Sequence, residues 1–389
     1  MQGAQPASVA GRHVVFFNWR DTANPEGGGS ERYVERMARG LVAHGARATV
    51  FCAAHDRAPA DEVVDGVRFV RRGTKLGVYV QGVLHLLRRT FGPVDVVVDV
   101  QNGLPLFTRL ATRRPVVVLV HHVHREQWPV VYPGTVGRIG WWVESRMAPR
   151  LYRRSQYVAV SRATRDELVQ LGVGRDRIAV VHNGTDPAPH VEAERAPEPT
   201  ICVVGRLVPH KQVEHAVDVV RALRADLPDL RLTIVGSGWW EDALRKYVAE
   251  SGTGDLVTFT GHVSEHRKHQ IYKQSWLMLL PSLKEGWGLV VGEAGSHGVP
   301  TVAYASAGGT RESIRHRHSG LLVEHQHELA DTVRRMLVDH TLRKRLGDGA
   351  RTSAHQFTWG HSQGSFVQVV SDVLAGRRVT AEDPDEVAG

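Results

Sequence analysis

Two carboxylates and two cations stand out by type and spacing. Glu285 and Glu293 lie seven residues apart in SLKEGWGLVVGE (282–293), and Arg206 and Lys211 sit in TICVVGRLVPHK (200–211). Just beyond a strand, a guanidinium and an ammonium suit a diphosphate, one as a planar fork and the other as a point charge. Gly286, Trp287 and Gly288 form a loop before a helix expected from Leu289 to near Gly298. Such a glycine-flanked turn offers N–H groups and the positive dipole end to phosphate. The glutamates do not fit an acid/base pair acting on one bond: eight residues of helix rise about 12 Å, against roughly 5–9.5 Å across a scissile glycosidic bond. The spacing suits gripping two ends of one extended ligand. Singly, each feature has a plainer reading, as helix-end and solvent-facing glutamates and a solvated basic turn. Their conjunction argues for a ligand.

The elements that must position these residues alternate between apolar runs and helical patterns. Strands are expected at His13–Phe17, Ala48–Cys52, Val94–Val100, Val116–Val120, Tyr157–Val160 and Ile178–His182. A second set covers Thr200–Val204, Leu230–Val235, Leu256–Thr260, Leu277–Leu280, Thr301–Tyr304 and Leu321–Val323. Runs apolar on both faces, alternating with helices such as Ser30–His44, indicate α/β domains with parallel sheets covered on both sides. The stretch DPAPHVEAERAPEPT (186–200), with four prolines and no apolar periodicity, reads as a linker. This gives an N-terminal domain over 1–185, a linker over 186–199 and a C-terminal domain over 200–356. A final helix within 357–379 is expected to pack back towards the N-terminal domain, and the acidic tail 380–389 to be disordered. Two doubly wound domains facing across a cleft would take a ligand at the carboxyl ends of their strands.

Composition narrows the classes. The chain has 389 residues, 42% hydrophobic and 23% charged, with a formal net charge of +8, which is ordinary for globular domains. No apolar run approaches the roughly 20 residues that span a bilayer, and Met1 to Gly11 carries no signal-peptide pattern. Cys52 and Cys202 read as buried hydrophobes of a reducing cytoplasm. The basic balance could serve nucleic acid, anionic membrane or phosphorylated small molecules. No zinc-finger spacing, ribonucleoprotein motif or heptad pattern accompanies it, so nucleic acid is not expected.

Weaker signals remain. Gly27, Gly28 and Gly29 lead into a helix with Ser30 as its expected N-cap. His121, His122 and His124 follow the strand Val116–Val120, but no cysteine or carboxylate completes a metal spacing, so no metal is expected. VGSGWWE (235–241) lacks the third glycine of a dinucleotide fingerprint and reads as a close turn. From Tyr132 to Arg154, Trp141, Trp142, Met147 and Leu151 interleave with arginines. This segment is either a helix lying on an anionic membrane or an aromatic core stripe with a basic outer face. The segment from Val78 to Phe91, with His85, Arg88 and Arg89, carries a fainter version of the same choice.

In the order of these motifs the chain resembles the retaining glycosyltransferases of family 4, which have the GT-B fold. The resemblance rests on Glu285–Leu289 with Glu293, on Gly205, Arg206, Leu207 and Lys211, and on GGTRESI (308–314) and SGLLV (319–323). HNGTD (182–186) and GGGSERYV (27–34) extend it over nearly the whole chain. Trp287 stands where phenylalanine is usual, and HKQ (210–212) replaces a common Lys-Gly pair, leaving the loop shape at Lys211 open.

The resemblance implies transfer of a hexosyl group from a UDP- or GDP-linked sugar, without a metal or other cofactor. Arg206 and Lys211 would bind the diphosphate, Glu293 the ribose, and Glu285 with the amides of Gly286, Trp287, Gly288 and Leu289 the sugar and distal phosphate. Gly28 and Gly29 would approach the leaving phosphate or the acceptor, and Gly261, His262 and Val263 the nucleobase. His121 would face the transferred sugar, with His122 and His124 as other acceptor-side candidates. Expected partners are the donor and a glycan, lipid-linked or small-molecule hydroxyl acceptor. The expected location is cytoplasmic, with an anionic inner membrane face as a further surface. A nucleotide-sugar epimerase, or a non-catalytic sugar-nucleotide or membrane-binding module, is the alternative.

Overall fold

The computed structural model describes residues 8–380. The chain forms two compact units, one running up to Asn183 and resumed from Trp359, the other spanning Gly184–Thr358.

The first unit is built on eight strands: β1 (His13–Phe17), β2 (Arg47–Cys52), β3 (Asp61–Val64), β4 (Val67–Arg71), β5 (Val96–Gln101), β6 (Val116–Val120), β7 (Gln156–Ala159) and β8 (Ile178–Val180). Their order is β3-β4-β2-β1-β5-β6-β7-β8, with all pairings parallel except β3 on β4. β1 (HVVFF) and β6 (VVVLV) are buried along their whole length. Each large apolar side chain so covered contributes about 1.5–3 kcal/mol. The helix Gly29–Ala43 and the helix Trp359–Leu374 pack together on this unit. Phe16 stacks on Phe366 at 5.9 Å, Tyr33 meets the Trp359 ring edge-on, and Gln363 donates from Nε2 to the Arg36 carbonyl. Gly40 permits this approach, because a Cβ there would lie 2.7 Å from Gln363.

The second unit has six parallel strands: β9 (Thr200–Val204), β10 (Arg231–Val235), β11 (Val257–Gly261), β12 (Leu277–Leu280), β13 (Thr301–Tyr304) and β14 (Gly320–Val323). The order β11-β10-β9-β12-β13-β14 means that the chain winds outward from β9 and then returns to its other side. The gap between β9 and β12 is therefore the topological switch point, where open α/β sheets take ligands at the carboxyl ends of their strands.

The apolar runs match the observed strands to within two residues at either end, and the structure departs from expectation elsewhere. β3 and β4 were not expected. They form an antiparallel edge in which Arg71 is buried against Asp21 (Nε–Oδ2 2.6 Å) and Glu62 (2.6 Å). The N-cap of the helix Gly29–Ala43 is Gly28, not Ser30, and Glu31 reaches back to accept from the Gly28 amide at 2.8 Å. Within 132–154 the chain is helical without a break from Thr135 to Leu151, with a π-helical turn inside it. This stretch comprises Thr135–Trp142, the π-helical turn Val143–Met147 and Ala148–Leu151. The expected helix from Val78 is Gly77–Leu87, with His85 packed against the Phe51 and Phe91 rings. The proline-rich stretch 186–199 is irregular but docked on the second unit: Lys273 donates to the Val191 carbonyl and Trp276 Nε1 to the Ala196 carbonyl. The final helix is Trp359–Leu374, inside the expected 357–379. The expected disorder of the acidic tail falls, except for Thr380, outside the described residues. Among the described residues no helix is long and apolar enough to cross a membrane.

Candidate functional site

Arg206 and Lys211 lie on the loop leaving β9, and Glu285 on the loop leaving β12. These strands are neighbours, so the fold brings the two charge types together at the switch point. Lys211 Nζ is 2.5 Å from Glu285 Oε1, and Ser282 Oγ donates to the same oxygen at 2.7 Å. The loops are stitched by backbone as well: the Leu283 amide donates to the His210 carbonyl at 2.9 Å. Arg206 is exposed, while Lys211 and Glu285 are partly buried.

Glycines set the shape of this edge. A Cβ on Gly236 would lie 1.9 Å from the Gly205 carbonyl oxygen, and one on Gly238 2.1 Å from that of Leu207. The Gly-x-Gly after β10 is thus a packing device that lets its loop lie on the Arg206 loop. Gln212 occupies the left-handed region (φ 48°, ψ 42°) at the end of the turn Pro209–Lys211. That conformation, which glycine adopts freely, answers the open question of the loop at Lys211: Gln212 keeps the turn, with strain.

On the β12 side, the Glu285 amide donates to Ala307 at 2.7 Å and the Gly309 amide to the Glu285 carbonyl at 3.0 Å. A Cβ on Gly309 would lie 1.9 Å from the Gly286 carbonyl oxygen. GGT (308–310) is therefore the brace of the Glu285 loop. Gly288 (φ 85°) caps the helix Leu289–Ser296. The Trp287 side chain is buried against Phe357 at 4.8 Å, so the part of this residue turned to the loop is its backbone, the group expected to serve there. Lys284, also buried, was not anticipated; its Nζ would lie 3.6 Å from a Cβ on Gly308. In the sequence it reads as one more surface lysine, and no signal there could have placed it.

Glu293, in the second turn of that helix, is mostly buried. Its Oε2 accepts from Tyr272 Oη at 3.0 Å and pairs with Lys268 Nζ at 3.0 Å. Burial pushes the Tyr272 hydroxyl far up, reinforced by the adjacent Glu293 charge. Tyr272 and Lys268 belong with Glu293 and were missed because both read as ordinary positions of the helix Glu265–Gln274. Gly261 (φ 65°) ends β11, and its carbonyl accepts from Gly236 at 2.9 Å. This puts Gly261, His262 and Val263 on the edge that carries Arg206.

In the first unit, His121 follows β6 and is 5% exposed. Its ring meets Tyr33 edge-on at 5.4 Å, and its buried Nε2 has no hydrogen-bond partner among the described residues. Burial lowers its pKa to about 4, against a raising influence of Glu31. At neutral pH it is therefore an uncharged imidazole that can orient a hydroxyl but cannot supply a proton as an imidazolium. The other two histidines are engaged. His122 Nε2 lies 2.9 Å from Gln127 Oε1, and His124 Nδ1 lies 3.0 Å from the fully buried Glu144, which also accepts from Trp128 Nε1 at 2.6 Å. The π-helical turn carries Glu144, so its widening serves an internal anchor. Gly28, with its amide on Glu31, does not offer that N–H to a ligand, and Gly29 is the first residue of the helix.

The fold agrees with what the chain is similar to. Residues 186–353 match the family model "Glycosyl transferases group 1", and residues 27–189 the model "Glycosyltransferase Family 4". A D-inositol 3-phosphate glycosyltransferase of Jonesia denitrificans is 30% identical over 404 residues, covering 88% of this chain and 91% of the relative. The chain spans about half the length of other curated relatives that it matches. Among solved structures, sucrose-phosphate synthase from Thermosynechococcus elongatus superposes with a TM-score of 0.80 at 19% identity, covering 94% of this chain and all of the other. Anabaena Alr3699/HepE, in complex with UDP and glucose, gives 0.72 at 18% identity, covering 93% and 100%. Two Rossmann-like α/β units of this kind define a GT-B glycosyltransferase. The chain belongs to family 4 of that class.

Proposed function

We propose that the chain moves a hexosyl group from a UDP- or GDP-linked sugar to a hydroxyl acceptor, with retained anomeric configuration and without a metal. The observation that carries this reading is the Lys211–Glu285 pair at the switch point, with Arg206 on the same loop. The diphosphate is held by Arg206 and Lys211, and the ribose by Glu293. Both contacts of Glu285 fall on Oε1, which leaves Oε2 for a sugar hydroxyl. As the bond from sugar to phosphate breaks, negative charge gathers on the diphosphate, and fixed cations stabilise it more than the ground state. The acceptor oxygen bonds to the anomeric carbon as the sugar–phosphate bond breaks, and its proton passes to the departing diphosphate oxygen. Neutral His121, with its unpartnered Nε2, orients a hydroxyl on the acceptor side. Glycan, lipid-linked and small-molecule acceptors all fit this scheme.

A thermal-shift series with UDP, GDP and dTDP tests the donor reading, since a ligand bound only by the native state raises the melting temperature. At least one should stabilise the wild type and fail to stabilise Lys211→Ala. No shift with any of the three would remove the donor assignment. Acceptor-dependent release of the free diphosphate then separates a transferase from an epimerase.

Association with an anionic membrane is a second part of the reading, favoured by an exposed apolar row. Val136, Ile139 and Trp142 are 62%, 57% and 56% exposed along the helix Thr135–Trp142, while the adjacent Trp141 packs against the core. Arg138, Arg146 and Arg150 accompany the row in sequence. Apolar side chains among arginines suit the boundary between headgroups and acyl chains.

A further inference from the structure

At the opposite end of the first unit's sheet from His121, the amino ends of β6 and β7 border a cavity of about 490 Å³ lined by seven arginines. Five strand steps separate Val116 from His121, roughly 16 Å at the usual rise, so the cavity is distinct from the site described above. Arg109, Arg113 and Arg114 come from the segment before β6, and Arg153 and Arg154 from the turn before β7. Arg377 and Arg378 follow the helix Trp359–Leu374.

Their placement is built. Buried Gln156 clasps the Val379 backbone from both sides, its Nε2 donating to the Val379 carbonyl at 2.7 Å and its Oε1 accepting from the Val379 amide at 3.0 Å. This holds Arg377 and Arg378 beside β7. Buried Arg177 donates to the carbonyls of Tyr152 and Ser155 and so fixes the turn that bears Arg153 and Arg154.

Charge is unbalanced at this place. The chain as a whole has 49 basic and 41 acidic side chains, yet among the described residues no carboxylate lines the cavity. Arg377 and Arg378 pair with Asp372 and Asp176 just outside it, whereas Arg113, Arg114, Arg153 and Arg154 have no carboxylate partner among the described residues. Like charges gathered in a concavity repel one another, and an anion of several charges relieves that repulsion. Guanidinium forks match phosphate oxygens in particular. Among the described residues no tryptophan, tyrosine, phenylalanine or histidine lines the cavity, so these supply none of the stacking faces with which proteins hold unpaired bases. Its volume suits a small ligand.

We propose that this cavity is a binding site for a ligand bearing clustered phosphates, separate from the donor site. A soluble oligophosphate and a phosphate-bearing lipid headgroup share that chemistry. Calorimetric titration of the full chain with inorganic tripolyphosphate is the first arm, and sedimentation with phosphatidylcholine vesicles doped with cardiolipin, whose headgroup bears two phosphates, is the second. Arg113→Gln/Arg154→Gln should weaken tripolyphosphate binding by roughly tenfold or more, whereas the lysine pair Arg113→Lys/Arg154→Lys should keep most of it. Arg206→Ala should leave it in place, which separates this cavity from the donor site and makes the test independent of the proposed reaction. Vesicle binding with the same dependence, reversed by tripolyphosphate, would identify a lipid headgroup. Binding of tripolyphosphate alone would identify a soluble ligand. The proposal is overturned if the glutamine pair, shown folded by circular dichroism, binds as tightly as the wild type. It is equally overturned if Arg206→Ala abolishes binding or if neither probe binds.

Discussion

Lys211 and Glu285 are 74 residues apart in sequence and 2.5 Å apart in space, and they join the loops of two neighbouring parallel strands. In the proposed reaction this pair is the resting state of the donor site. A diphosphate arriving at Lys211 takes over the ammonium, and the freed carboxylate turns to the sugar. Exchange of one partner for another keeps both charges satisfied, which avoids the cost of an uncompensated, partly buried charge.

The kinetic consequences of the donor grip differ by residue. Ribose contacts change little as the distant bond breaks, so Glu293→Gln should act mainly on KM for the donor. Arg206→Ala and Lys211→Ala should instead depress kcat by roughly 10²–10³, the scale for losing one preorganised charge-stabilising group. Steady-state kinetics of the three variants decide it. Loss of kcat in the glutamine variant, with both cation variants unimpaired, would exchange the assignments.

Substitution of His121 tests the acceptor side. His121→Ala should lower kcat at least about tenfold, within the usual range for a positioned imidazole, and leave nucleotide affinity unchanged in a binding titration. Unaltered kcat would remove His121 from the reaction.

The same residue makes stability depend on pH. Burial holds His121 at about 4 in the folded chain, below its ordinary 6.5, so on acidification the unfolded chain takes up the proton first. Its contribution is therefore complete above pH 6.5 and is lost as pH falls towards 4, by about 1.4 kcal/mol per unit at most. His297, lowered to about 4 chiefly by burial, adds a slope of the same sign. Urea unfolding at pH 7 and pH 5 should show a smaller loss in His121→Asn than in the wild type. Equal losses would mean that this imidazole is not held neutral by folding.

Turnover should survive chelation, because in the proposed reaction Arg206 and Lys211 supply the positive charge on the diphosphate. Activity measured with and without EDTA should agree within error. Abolition by EDTA and rescue by Mg²⁺ or Mn²⁺ would refute the scheme.

Sedimentation with anionic liposomes at low salt examines the exposed row. The wild type should pellet, less so as salt screens the long-range attraction, and Ile139→Ala/Trp142→Ala should stay in the supernatant. A wild type that never pellets would leave Val136, Ile139 and Trp142 without a membrane role.

The central strands were legible because a parallel sheet covered on both faces demands uninterrupted apolar runs, and β1, β6, β9 and β12 comply. β3 and β4 escaped notice because DEVV and VRFVR mix charge into an antiparallel edge, and the burial of Arg71 depends on Asp21, fifty residues away. At the site, Glu285 and Lys211 stood out as charges beside strand ends. Tyr272 and Lys268 did not, since only the fold of the helix Glu265–Gln274 against Glu293 gives them meaning. For Trp287 the sequence placed the backbone in the loop, and the inward turn of its side chain to Phe357 depends on a residue seventy positions on.

The first unit is closed by a helix that follows the entire second unit in the chain. Gln363 donates to the Arg36 carbonyl across 327 residues, and Phe366 covers Phe16. On the ribosome, β1 and the helix Gly29–Ala43 therefore emerge long before the helix that covers them. Until Trp359–Leu374 is synthesised, Phe16 and Tyr33 lack Phe366 and Trp359, and apolar surface uncovered in this way is what chaperones bind and aggregation exploits. The second unit, contiguous from Gly184 to Thr358, has no such wait. Birth order and folding order are thus opposed: the half made first is the half finished last.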